Sequence, residues 1–169
     1  MEAIEAILTR RSIRQYTEKS VPEELIYKIL EAAMCAPSAR NYQPWHFIVV
    51  TDRSMLDKIP EVHPYAEMLR QSPLAILVCG DKEIEPNSDY INQNCSAATE
   101  NLLLAAYALG LGAVWLGVFP QKSRVEGLTR LFCLPENITP VSLVSIGYPA
   151  EIKPNENRFN EERIHYNKW

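Results

Sequence analysis

Asn94–Gly117, NCSAATENLLLAAYALGLGAVWLG, is the stretch on which the architecture turns. From Leu102 to Phe119 there is no charged residue, a run long enough to suggest a membrane span. Gly110, Gly112 and Gly117 interrupt that run, and Ala and Tyr dilute it. A helix that stops at Gly110, followed by a buried strand over Ala113–Phe119, explains the same composition. We adopt that reading, which predicts no membrane partner. The glycines follow a helix and precede a strand, whereas a dinucleotide glycine loop follows a strand and opens a helix. A Rossmann or Walker-type site is therefore rejected. What remains for the glycines is structural, with Gly117 also letting backbone approach something flat.

Outward from this stretch, helices alternate with short apolar strands. The helix reaches back to Tyr90. Leu74–Cys79 (LAILVC) is apolar throughout and reads as a central strand. His46–Thr51 (HFIVVT) is a β-branched strand, and Pro140–Ile146 a fourth. Helical spacing marks Glu2–Thr9, a helix from the Ser20-Val21-Pro22 start to Met34, and Ser123–Phe132. Arg53–Ile59 and Tyr65–Gln71 read as short helices separated by Pro60 and Pro64. Arg10–Tyr16 and Ala36–Pro44 read as loops. The alternation indicates a single mixed α/β domain over residues 1–169. Residues 150–169 differ: polar, yet carrying Phe159, Ile164, Tyr166 and Trp169. So few apolar anchors make no core alone, so this arm must dock on a surface of its own domain or of a partner.

Composition narrows the function classes. With 169 residues, 47% hydrophobic and 22% charged, the chain suits one soluble domain with a real core. Seventeen basic and 21 acidic residues leave a formal charge of −4, a poor balance for nucleic-acid binding. MEAIEAILTRR lacks the basic start and apolar block of a signal peptide. Cys35, Cys79, Cys95 and Cys133 form no Cys-x-x-Cys, and read as free, mostly buried thiols in a reducing, cytoplasmic setting. His46, His63 and His165 have no metal-ligand spacing and are expected to be partly buried structural residues. No nucleophile elbow is present. If this chain is an enzyme, a cofactor supplies the chemistry.

Two segments carry binding chemistry. Arg10-Arg11-Ser12-Ile13-Arg14 groups three guanidinium groups and a hydroxyl, suited to phosphate oxygens; the same run also reads as a solvated basic helix end. Pro37-Ser38-Ala39-Arg40-Asn41-Tyr42-Gln43-Pro44-Trp45 offers amide and hydroxyl groups that suit a heterocycle edge, and equally an ordinary helix-to-strand connection.

Taken in order, RRSIRQY, APSARNYQPWHFIVV, SPLAILVCGD, NCSAATENLLLAAYALGLGAVWLG and RFNEERIHYNKW resemble the nitroreductase family of FMN-dependent oxidoreductases. Any one of these is a weak signal; five in order over nearly the whole chain is specific. The resemblance implies an α+β fold with a largely antiparallel sheet flanked by helices, and a homodimer whose C-terminal arm extends onto the partner subunit. It implies FMN at the dimer interface. Arg10 and Ser12 would reach its phosphate and ribityl chain, with Arg11 adding a backbone or side-chain contact. Arg14 would face the pyrimidine edge. Pro37, Ser38, Ala39 and Asn41 would close over the ring from the second subunit, Leu116 and Gly117 would present backbone to it, and Arg158 would add a late phosphate contact.

The implied activity takes hydride from NAD(P)H through flavin N5 to a small oxidised acceptor, a nitroaromatic or quinone, by a ping-pong cycle. Reduced flavin gathers negative charge at its pyrimidine edge, which a fixed Arg14 guanidinium stabilises. Tyr65 has two readings, lining the substrate side or packing in the core. Three alternatives stay open: a specialised dehalogenating, dehydrogenating or flavin-cleaving relative, a non-catalytic flavin carrier or sensor, and a basic-loop module binding nucleic acid or nucleotide, which the net charge disfavours. Two departures stand out. Asn94 replaces an acid common in relatives, and Gly117 stands where longer members can carry Glu. The chain also lacks room for the long inserted helices that cover the substrate site in those members.

Overall fold

The structure is a computed structural model describing residues 1–169. Four strands, β1 (Trp45–Val50), β2 (Leu74–Asp81), β3 (Gly112–Gly117) and β4 (Ile138–Gly147), form one sheet in the order β1-β2-β4-β3. Every neighbouring pair is antiparallel. β2 is internal and buried along its whole length, as an uninterrupted apolar strand should be.

There are five helices, α1 (Ala3–Thr9), α2 (Glu23–Met34), α3 (Arg53–Val62), α4 (Ser88–Ala108) and α5 (Lys122–Leu131); α2 to α5 flank the sheet and α1 packs on α4. The period-2 alternation of β2 divides the core. Leu74, Ile76 and Val78 pack with Ile29 of α2 and Ile91, Cys95 and Leu102 of α4. Ala75, Leu77 and Cys79 face Leu56 and Ile59 of α3 and Leu128 of α5. Both sheet faces are thus sealed, and the fold is α+β.

The uncharged run at 102–119 is a buried helix end plus a strand, as its composition predicts. The Asn87 side chain caps α4, accepting from the backbone N–H groups of Asp89 (2.9 Å) and Tyr90 (3.3 Å). Gly110 adopts φ +79° just after the helix, and Leu111 N–H closes back onto the Ala106 carbonyl at 2.9 Å. No helix is long and apolar enough to cross a membrane.

Several expectations are corrected. Ser20 does not cap α2; Pro22 occupies the cap position with extended backbone and no side-chain bond is made there. α3 runs through Pro60 to Val62. The proline falls in the last turn, where it removes one donor, and His63 N–H still reaches the Ile59 carbonyl at 3.0 Å. Residues 65–71 hold only a 3-10 turn, Glu67–Arg70. Two cysteines are buried, Cys79 and Cys95, and two exposed, Cys35 and Cys133, so the thiols are free but not mostly buried. His63 is buried, whereas His46 and His165 are exposed. Arg10–Tyr16 is no free loop: it lies along the open edge of β3, with a parallel bridge between Ser12 and Ala113.

Candidate functional site

The edge of β3 organises the first half of the site. Ile13 N–H donates to the Ala113 carbonyl at 3.0 Å, and buried Ile13 sits directly over Gly112. A Cβ on Gly112 would come 2.7 Å from Ile13 Cγ2, so glycine is what lets the two backbones approach. Tyr16 is also buried and donates its hydroxyl to the Ile13 carbonyl at 2.6 Å. With Ile13 and Tyr16 anchored inward, Ser12 is half-buried and Arg14 is exposed. Glu151 fixes the backbone there, accepting from Arg14 N–H (2.6 Å) and Gln15 N–H (3.2 Å). Those bonds, the Arg14 one above all, hold the Glu151 carboxyl below the usual carboxylate range. The Arg14 guanidinium forms no ion pair with any carboxylate.

Arg10, Arg11 and Arg158 meet although they come from opposite ends of the chain. Arg10, Asn157 and Arg158 line one cleft of about 540 Å³, with Arg11 and Phe159 in the same wall. Arg10 Nε, buried and without a hydrogen bond, lies 3.6 Å from a carboxylate oxygen of half-exposed Glu100. Arg158 pairs loosely with Glu156 at 3.4 Å in an exposed setting. Arg11 behaves differently. Its guanidinium donates to the carbonyls of Leu8 (3.2 Å), Arg10 (2.8 Å), Pro154 (3.2 Å) and Glu156 (3.2 Å). It clasps residues 154–156 to the end of α1, leaving little of its fork for a ligand.

The Pro37–Gln43 loop is a second, separate part. Arg40, Asn41 and Gln43 all take left-handed backbone, at φ +53°, +58° and +49°. Such conformations in non-glycine residues persist only where surroundings hold them. Here Asn94 Oδ1 accepts from Ala39 N–H at 2.9 Å, Ser38 Oγ accepts from Gln43 N–H at 3.0 Å, and Asn41 Oδ1 accepts from Gln43 Nε2 at 3.0 Å. None of Pro37, Ser38, Ala39 or Asn41 lines the Arg10–Arg158 cleft. From the sequence Asn94 reads only as a lost charge; in the fold its amide oxygen holds the Ala39 backbone, while its Nδ2 is buried without a hydrogen bond. The available signal was a polar residue among the inward-facing Ile91, Cys95 and Ala98 of α4.

The end of β3 supplies the third part. Leu116 is buried, and Gly117 is exposed with no atom within 4 Å of where a Cβ would stand. Its carbonyl accepts from Arg124 Nη1 at 2.7 Å and lies 3.0 Å from His63 Nε2. His63 Nδ1 accepts from Tyr65 N–H at 3.3 Å, so Nε2 carries the proton and donates to Gly117. Burial, with the nearby Arg124 charge, holds His63 below the usual imidazole range and keeps it neutral. Tyr65 is 65% exposed, which removes the core-packing alternative. The expected buried structural role holds for His63, but neither its bond to Gly117 nor the part of Arg124 is legible in the sequence, because a carbonyl clamp built by residues far apart in the chain has no local pattern.

The nitroreductase family model matches residues 7–63 and 60–148. A Methanothermobacter thermautotrophicus protein with the provisional name NADH dehydrogenase/NAD(P)H nitroreductase is 56% identical over 169 residues, covering 100% of this chain and 88% of its own. An FMN-dependent nitroreductase from Clostridium difficile superposes with a TM-score of 0.91 at 31% identity, over 98% of this chain and 99% of its own. A provisionally named nitroreductase from Desulfovibrio desulfuricans, solved with FMN, gives 0.87 at 33% identity, over 100% of this chain and 98% of its own. With the family model spanning most of the residues and the relatives end to end, this chain belongs to the nitroreductase family.

Proposed function

We propose that this chain is an FMN-dependent NAD(P)H oxidoreductase that works as a homodimer and reduces a small oxidised acceptor such as a nitroaromatic or quinone. The observation that carries the reading is the cleft where Arg10 and Arg158 converge, with Arg10 Nε buried and making no hydrogen bond, its nearest acid being Glu100 at 3.6 Å. A buried guanidinium donor without an acceptor is costly, and a phosphate oxygen relieves that cost. The carboxylates beside Arg10 and Arg158 are poor competitors: Glu100 stands 3.6 Å from Arg10 Nε, too far for a hydrogen bond, and the Arg158–Glu156 pair is solvent-exposed and contributes little. The open space at Gly117 suits a flat ring system. The residues present therefore fit FMN.

Bound FMN supplies the chemistry of accepting hydride from a nicotinamide and passing it on. The chain supplies position and field. Arg10, Ser12 and Arg158 hold the phosphate end. Arg14, whose guanidinium has no carboxylate to neutralise it, stabilises negative charge at the pyrimidine edge. Leu116 and Gly117 admit the ring close to backbone, and Arg11 contributes by securing the arm that bears Arg158. Pro37, Ser38, Ala39 and Asn41 lie outside the cleft of their own chain, which favours their acting on the site of a second copy.

A second copy also accounts for the apolar surface. Ile4, Ile7 and Leu8 of α1 are exposed, as are Ile152, Phe159 and Trp169 in the arm. An apolar groove of about 360 Å³ runs between α1, α2 and α4, lined by Ala6, Ile7, Ala32, Leu104 and Ala105. Exposed apolar area on this scale marks an interface.

The test is direct. Purified protein should be yellow and contain one FMN per chain; anaerobic NADH or NADPH should bleach it, and a nitroaromatic should restore the colour. Colour without bleaching would point to a flavin carrier, and failure to take up FMN would overturn the reading.

A further inference from the structure

The corner where Gly117, His63, Tyr65 and Arg124 meet has a feature that flavin binding does not explain. Arg124 Nη1 is tied to the Gly117 carbonyl at 2.7 Å, and that is the guanidinium's single hydrogen bond. A guanidinium carries five N–H donors, so four remain. Arg124 is half-buried, yet it pairs with no carboxylate in a chain that has 21 acidic residues. Its planar group lies 5.1 Å from the centre of the Tyr65 ring. That ring stands edge-on to His63 at 6.4 Å, and the Tyr65 backbone N–H bonds to His63 Nδ1. An exposed aromatic face, an uncompensated cation locked against it, and the open space beside Gly117 thus sit together.

We propose that Tyr65 and Arg124 form the acceptor-recognition corner of the site and select a flat aromatic substrate bearing a carboxylate or phosphate. This rests on the flavin reading above, and adds the substrate class to it. The physical ground is asymmetric. A neutral acceptor gains only stacking on Tyr65, while an anionic one also takes charge-assisted bonds from a fork that has already lost most of its freedom. The Gly117 clamp keeps that fork in place, so little ordering is required on binding.

The FMN-loaded protein tests this with two probes of like shape and differing charge, 4-nitrobenzoate and 4-nitrobenzamide. The readout is the ratio of their kcat/KM values, in which any loss common to both cancels. The wild type should favour the benzoate by about tenfold at low salt, falling as salt rises. Arg124→Gln should bring the ratio to about one, and Arg124→Lys should keep it within about threefold of wild type by retaining the charge. Benzoate and benzamide titrated into the oxidised protein should show the same discrimination as shifts of the visible flavin spectrum, independent of turnover. A wild-type ratio near one, or a ratio that survives in Arg124→Gln, overturns the proposal while leaving FMN binding intact. A protein that takes up no FMN in a fluorescence titration overturns the underlying reading instead.

Discussion

At the scale of single residues, three neighbouring arginines have three different tasks. Arg10 lines the cleft with an Nε that makes no hydrogen bond, Arg11 is consumed by four carbonyls, and the Arg14 guanidinium pairs with no carboxylate. This separates their variants. Arg14→Ala should lower the two-electron potential of the bound flavin and slow turnover while most FMN stays bound; spectroelectrochemistry measures the shift, and an unchanged potential removes the role. Arg11→Met should weaken FMN by about tenfold, through release of the arm rather than loss of a ligand contact. A double-mutant cycle with Arg158→Ala distinguishes the two. If Arg11 acts through the arm, its substitution costs almost nothing once Arg158 is gone. Additive losses would show that Arg11 touches the phosphate itself.

At the scale of elements, the site depends on a pairing that is neither helix nor regular strand. Residues 12–16 lie on β3 through one bridge and return along Pro149 through a second. Glu151 secures that return with its carboxylate on two backbone donors. Because its folded pKa is depressed, its contribution is fully present at neutral pH and is lost as pH falls through the folded value, below the unperturbed figure of about 4.3. Denaturant midpoints should therefore drop for the wild type between about pH 5 and pH 3, and Glu151→Gln should start lower at pH 7 and show a shallower drop. Equal slopes would mean that other carboxylates dominate. β4 shows a related local device. Its register against β2 shifts at Val78/Cys79, and both Val118 N–H and Phe119 N–H donate to the Val141 carbonyl, just past Gly117. A bulge bends its strand, and here it helps β3 end where the Gly117 corner begins.

For the whole molecule, the exposed apolar residues of α1 and of the arm leave a surface that one chain does not cover. Sedimentation velocity should give a species of twice the 19.3 kDa chain mass. Ile7→Asp, which places a charge in the α1 groove, should shift it toward monomer and release FMN in parallel; a monomer that keeps its FMN would break the link between dimer and site. How much of this was legible in the residues differs by feature. The buried helix–strand reading of 102–119, the central place of LAILVC and the ordered segments of the family signature all rest on local pattern, because the periods of helix and strand write burial directly into sequence. The family came instead from the resemblance of five ordered segments, and the residues expected at its cofactor are what that resemblance implies. What tertiary structure alone decided are contacts between distant positions: Asn94 under Ala39, and the Gly117 carbonyl held by His63 and Arg124. It also decided that Arg11, alike in type to its neighbours, faces carbonyls rather than a ligand. Side-chain type records which bonds a residue can make, whereas which partner arrives depends on how the sheet edge and the arm are brought together, and no spacing along the chain encodes that.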